Sequence, residues 1–247
     1  MTATPSTPAL DGRPDATPSA VSTVTLLLRD RERCDALCAQ PDAAARLLPR
    51  FIGVSALGIG AWAGVQGLLF SLCVNDLAVP GLTGEPLWFT AGVLFLAYEG
   101  ALMGAQVAGL PTFSFYGLMA GFRTHSGRIA TESLRARATA AVVLMGLLPV
   151  HLAVGLGLVL FFDEPSTAGS MWQGLVLLGG GMALPFVAGL AAPGSLVRAF
   201  RGLARDAAER PDGERRPMPV LLAVAWSAVF TVMAPLGVWR ILQLLVG

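Results

Sequence analysis

Apolar and polar positions along this chain separate into long blocks. The runs 51–72, 86–110, 138–162, 171–197 and 219–239 are almost wholly apolar. Each supplies the roughly 20 residues a helix needs to cross about 30 Å of hydrocarbon. The pattern predicts an all-α fold, a polytopic membrane helix bundle of five transmembrane helices. Glu99 is the one formal charge inside any of these runs.

Charge placement adds an orientation. Every basic residue is an arginine, and all but Arg240 lie before Phe51, between Arg123 and Arg137, or between Arg198 and Arg216. The loops Cys73 to Glu85 and Asp163 to Ser170 contain none. Basic residues near span ends are retained on the cytoplasmic side, so the N-terminus is expected inside and the short C-terminus outside. Arg240 follows Trp239, where a long cation snorkels beside an interfacial aromatic. The inner face is net basic, which suits anionic lipid headgroups as partners; nothing points to nucleic acid. With 54% hydrophobic and 13% charged residues, a soluble domain of this length is excluded. The first long apolar run begins at Phe51, so it is expected to persist as an uncleaved anchor. The absence of lysine beside abundant Ala, Gly and Arg suggests a bacterial genome rich in G and C, and hence the cytoplasmic membrane of the cell, crossed in multiple passes.

Outside the spans, residues 1–22 are rich in Thr, Pro, Ala and Ser and read as a disordered cytoplasmic tail. Residues 23–50 form a juxtamembrane helical segment, with Pro41 and Asp42 suited to a helix start and Pro49 to its end. Residues 51–247 make the five-span membrane domain. Within it, the apolar run 111–122 is too short to cross and too apolar for a free loop, and is expected as an interfacial or re-entrant turn. Leu196, Phe200, Leu203 and Ala207 recur at helical spacing after the fourth span, and Pro211 to Gly213 supply a turn.

Few residues bear chemistry. Glu99 lies near the middle of the second span and His151 near the middle of the third, so antiparallel neighbours would bring them to similar depth. Two readings follow: a proton or cation relay with Gln106 on the same face as Glu99, or a hydrogen bond that pins two helices. Gly60 and Gly64 in the first span, and Gly100 and Gly104 in the second, are expected to pack helices closely. Pro149, Pro185 and Pro235 free carbonyls within spans, and kinked packing is the expected consequence. Cys34 and Cys38 share one helix face, but two ligands do not make a metal site, and free reduced thiols are expected. His125 reads as a solvated loop residue. No GxSxG, HExxH, P-loop or GxGxxG pattern occurs, so no enzyme, catalytic residue, cofactor or metal site is expected.

A long N-terminal segment inside, five spans and a short C-terminus outside resemble the Yip family of membrane proteins. Leu26 to Asp30, Gln106, Leu110 to Gly117 and Leu147 to Val150 resemble bacterial multi-pass proteins of that type. The family's Asp-Leu-Tyr-Gly-Pro-Leu-Trp motif has its nearest echo at Gly84 to Trp88, before the second span, so no functional residue is carried over. The resemblance implies a non-enzymatic scaffold with protein partners, since eukaryotic members assist vesicle trafficking with Rab-type GTPases.

The expected function is an integral membrane scaffold or accessory subunit that binds lipid, protein partners or a second copy of itself. The alternative is a small-solute or proton-coupled transporter or channel built on Glu99 and His151.

Overall fold

The computed structural model describes residues 20–38, 40, 42–72, 85–119, 126–161, 174–190 and 218–246. All secondary structure among them is helical. In chain order these are α1 (Ala20–Arg29), α2 (Arg31–Cys38), α3 (Ala43–Leu72), α4 (Leu87–Met119) and α5 (Ser126–Phe161). A π-helical segment, Gly174–Gly180, then runs into α6 (Gly181–Gly189), and α7 (Met218–Val246) closes the chain. Three helices are long and apolar enough to cross a membrane, over Ala43–Leu72, Leu87–Pro111 and Gly127–Phe161. The chain is therefore a helical membrane protein. The described parts of the expected fourth and fifth runs are helical as well.

Local chemistry sets several helix ends. Asp30 accepts a hydrogen bond from the backbone N–H of Arg33 (3.2 Å), the N-cap arrangement that starts α2. Asp42 precedes α3 and pairs with Arg46 one turn later. At two places the helices run past the expected ends. Pro49 does not stop the juxtamembrane helix, which is continuous with the first span from Ala43 to Leu72. Likewise α4 passes through Pro111 to Met119, so Pro111–Met119 is helix rather than the turn expected over 111–122. At Pro111 apolar surroundings favour this result: an irregular backbone without water must find other partners for every amide, whereas one proline costs a helix a single internal hydrogen bond. At Pro49 the carbonyl left unserved belongs to the exposed Ala45, where water replaces the lost donor.

The 1–22 tail lies outside the described residues up to position 19, as do the loops 73–84 and 162–173, and His125. So do the end of the fourth run, the amphipathic stretch 196–207 and the turn at 211–213.

α3 is the central helix. Its buried positions Phe51, Val54, Ser55, Gly58, Trp62, Gln66 and Leu69 repeat every three to four residues, the stripe a helix needs to face its neighbours. Most of this stripe packs on α5, which runs parallel to it, as the pairs Ser55–Arg137 and Gln66–His151 show, while α4 runs antiparallel and also contacts α7. The main core gathers Ile59, Trp62, Leu94, Tyr98, Leu144, Ala188 and Val238 from five helices. A second core at one end joins Leu27, Cys34 and Cys38 of the N-terminal helices to Leu47, Phe51, Ala138 and Val142.

Candidate functional site

Among the described residues, two polar centres lie inside the bundle. The first joins α3, α4 and α5 around Arg137, which forms an ion pair with Glu99. The same guanidinium donates from Nε to Ser55 Oγ (2.7 Å) and from Nη1 to Gln106 Oε1 (3.1 Å). Gln106 in turn donates from Nε2 to the Ser133 carbonyl (3.2 Å) and hydroxyl (3.3 Å). Arginine suits this position because its planar, permanently charged fork reaches several acceptors at once. The Arg137 and Glu99 side chains keep 6% and 14% of their surface exposed, so two opposite charges have been withdrawn from solvent together. Either charge alone would be expensive there; paired and hydrogen-bonded, they hold three helices in register.

The second centre joins α3 to the π-helical segment and α6. Gln66 donates from Nε2 to the Leu177 carbonyl (2.6 Å), and its Oε1 lies 2.9 Å from His151 Nε2. A carbonyl only accepts, so Leu177 fixes which end of the amide faces it. The Gln66 oxygen is thereby turned to His151, whose Nε2 must carry the proton. One turn earlier, Trp62 donates its indole N–H to the Gly181 carbonyl (3.0 Å), and Tyr98 donates its hydroxyl to the Met182 carbonyl (2.6 Å). The Trp62 and Tyr98 rings lie 4.4 Å apart by centroid, and Phe186 packs on Tyr98 at 5.5 Å. Gly181 leaves room for this arrangement: a Cβ at that position would collide with the Gln66 amide and displace it from Leu177 and His151.

The expected pairing of Glu99 with His151 is replaced by two separate partnerships, Glu99 with Arg137 and His151 with Gln66. Register explains the change. Because α4 extends to Met119 and α5 starts at Ser126, only residues 120–125 separate the two helices, and Gln106 sits level with Ser133. His151 then lies four turns beyond Arg137 on α5, roughly 21 Å farther along the axis. Gln106 does belong with Glu99, through Arg137. Of the expected packing glycines, Gly60 and Gly100 lie against neighbouring helices: a Cβ added there would stand 3.8 Å from Phe95 and 3.5 Å from Ile241, ordinary van der Waals contact. Among the described residues, nothing lies within 4 Å of a Cβ added at Gly64 or Gly104. The tight approaches are elsewhere: a Cβ at Gly58 would stand 2.8 Å from the Ala141 backbone, and one at Gly155 would stand 2.6 Å from Leu69.

Sequence reasoning passed over Trp62, Gln66, Tyr98, Ser55, Ser133 and Arg137. Two signals were present. Gln66 is the lone side-chain amide in its span, and Pro185 implies an unserved carbonyl four residues earlier, at Gly181.

Chemically, both centres consist of groups that satisfy one another. The Glu99 carboxylate is matched by a fixed cation, and the His151–Gln66 chain ends on a backbone carbonyl. Among the described residues, no group of three or more His, Cys, Asp and Glu side chains is placed to hold a metal ion. Comparison with known proteins finds no matching family model, no matching curated protein and no matching solved structure.

Proposed function

We propose that this chain is a non-enzymatic integral membrane scaffold or accessory subunit, with five spans, its N-terminus in the cytoplasm and its C-terminus outside. Its basic inner surface contacts anionic headgroups, and its helices present surfaces to protein partners or to a second copy. The mutual pairing of intramembrane polar groups carries this reading. Arg137, Glu99, Gln106, Ser55 and Ser133 serve one another across three helices, as in a bundle built to keep a fixed shape. The resemblance to Yip-type proteins supports the same class, and the arginine-free loops support the orientation.

The test is affinity purification of the full chain from its own membrane in mild detergent, followed by mass determination of the complex. A stoichiometric partner or a defined oligomer is the expected result; a solitary monomer counts against a scaffold. The competing transporter or channel would use the same Glu99. Proton-coupled flux in reconstituted vesicles that disappears in Glu99→Gln would favour that alternative.

A further inference from the structure

We propose that Cys34 and Cys38 form a reversible thiol–disulfide site whose oxidation unwinds α2 and releases it from the membrane bundle. The two residues are one helical turn apart on one face of α2, both essentially inaccessible, and both are free thiols. They are packed with Leu27 of α1, with Ala43, Leu47, Phe51 and Val54 of α3, and with Ala138 and Val142 of α5. Beside them Arg135 of α5 pairs with Asp35 of α2 and lies 3.4 Å from Glu132. This patch is where an eight-residue helix is attached to the bundle. Neither polar centre uses it, and the inference stands apart from the scaffold reading.

The charges favour a nucleophilic sulfur at one specific position. A hydrogen bond from Cys38 holds the Cys34 thiol below its ordinary range, and Arg135 acts in the same direction against burial. Cys38, the donor in that bond and buried, is pushed far above its usual range. Cys34, one turn from Cys38 on the same face and with Arg135 beside it, suits the attacking role, and Cys38 the resolving one. Hydrogen peroxide is small and neutral enough to reach the pair when the short helix opens locally. The Cys34 thiolate attacks one peroxide oxygen, the O–O bond breaks, and the departing hydroxide takes a proton to become water. Cys38 sulfur then attacks the Cys34 sulfenic sulfur; the S–S bond forms, the S–O bond breaks, and the second hydroxide leaves with the thiol proton as water. Two thiols lose two electrons in all, and one peroxide becomes two waters. A dithiol reverses the step by exchange.

Geometry links this chemistry to shape. Side chains four apart on a helix have Cβ atoms about 5–6 Å apart, whereas a disulfide requires about 3.5–4.5 Å. The bond therefore forms only if α2 loosens, which pulls Asp35 from Arg135 and both sulfurs from the core. With the N-terminus in the cytoplasm, the one point at which the inference rests on the orientation proposed above, such a bond is transient, as expected of a sensor rather than a structural staple.

The experiment uses the full chain in lipid nanodiscs, carrying Cys73→Ser to remove the third thiol. After hydrogen peroxide treatment, peptide mass spectrometry is expected to find Cys34 linked to Cys38, and dithiol treatment to restore both thiols. Amide exchange over residues 31–38 is expected to quicken at least about tenfold in the oxidised protein, a factor equivalent to about 1.4 kcal/mol of lost docking. Cys38→Ser should block both changes and leave Cys34 as the sulfenic acid. Unreacted thiols, oxidation of Cys34 beyond the sulfenic state without a disulfide, or a disulfide that leaves exchange unchanged would each overturn the proposal. Because the linkage is read in the protein with both thiols intact, the outcome does not depend on the serine variant folding.

Discussion

Trp62 donates its indole N–H to the carbonyl of Gly181, the same carbonyl that Pro185, four residues later, has no N–H to serve. A helix normally closes that bond internally; here a side chain from a neighbouring helix supplies the donor. Tyr98 donates its hydroxyl to the next carbonyl, Met182, which Phe186 can also serve from within the helix. The proline in α6 and the two aromatics in α3 and α4 thus form one unit, and a cycle of substitutions tests it. Trp62→Phe leaves the Gly181 carbonyl unserved and should cost about 1 kcal/mol beyond the loss of packing. Pro185→Ala restores an internal donor, so it should relieve that part of the cost in the Trp62→Phe background. Reversible unfolding in mixed micelles measures the cycle, and strict additivity of the two changes would refute the coupling.

The Arg137–Glu99 pair leads to a prediction about charge balance. Replacing Glu99 alone by leucine strands a guanidinium that keeps only 6% of its surface exposed, and should destabilise the protein by about 3 kcal/mol or more. Replacing both, as Glu99→Leu with Arg137→Met, removes the stranded charge and should cost clearly less than Glu99→Leu alone. Ser55 and Gln106 lose a donor in the double variant, so some cost remains. Thermal unfolding in one detergent, compared across the three proteins, provides the ranking. A double variant weaker than the single would show that the pair is not what makes the lone charge expensive.

How much of this was legible in the sequence depends on which physical signal each feature leaves. Apolar length is a strong local signal, and it located the helices that became α3, α4 and α5. Asp42 correctly marked the start of α3, since a cap is a matter of neighbouring residues. Pro49 and Pro111 misled as helix ends: at Pro111 the proline penalty is outweighed where no water serves the alternative, and at Pro49 the one carbonyl left without a donor, on Ala45, is exposed. That error moved the register. With α4 taken to end near Leu110, Glu99 and His151 appear level; with α4 continuing to Met119, Glu99 meets Arg137. Arg137 itself was assigned to the basic loop, where a positive-inside signal conceals a buried ion pair. The packing glycines divide for a different reason: Gly60 and Gly100 lie near a neighbouring helix and Gly64 and Gly104 do not among the described residues, because spacing shows that small residues share a face but not which face another helix covers.

Gln66 and His151 give a prediction about one proton. Since the Leu177 carbonyl orients the Gln66 amide, His151 should be found protonated at Nε2. Nitrogen NMR of ring-labelled histidine in nanodiscs distinguishes the two tautomers, with His125→Asn used to leave a single signal. In Gln66→Leu the acceptor is gone, and the Nε2–H preference should weaken. A wild-type His151 protonated only at Nδ1 would contradict the hydrogen-bond chain.

Gly58 and Gly64 make a matched pair, because both lie on α3 and both lose the same backbone freedom on gaining a methyl group. At Gly58 the new Cβ would stand 2.8 Å from both the Cβ and the carbonyl oxygen of Ala141, so α3 and α5 must separate. Overpacking of that kind costs about 1–3 kcal/mol, and here it also strains the neighbouring Ser55–Arg137 bond. At Gly64 none of the described residues comes within 4 Å of the new Cβ, and alanine should be neutral or should stabilise the helix by up to about 1 kcal/mol. Gly104, equally open on α4, should follow Gly64. Unfolding midpoints of the three alanine variants decide the matter. Equal effects at Gly58 and Gly64 would mean that α3 and α5 do not approach as closely as the Gly58–Ala141 contact requires.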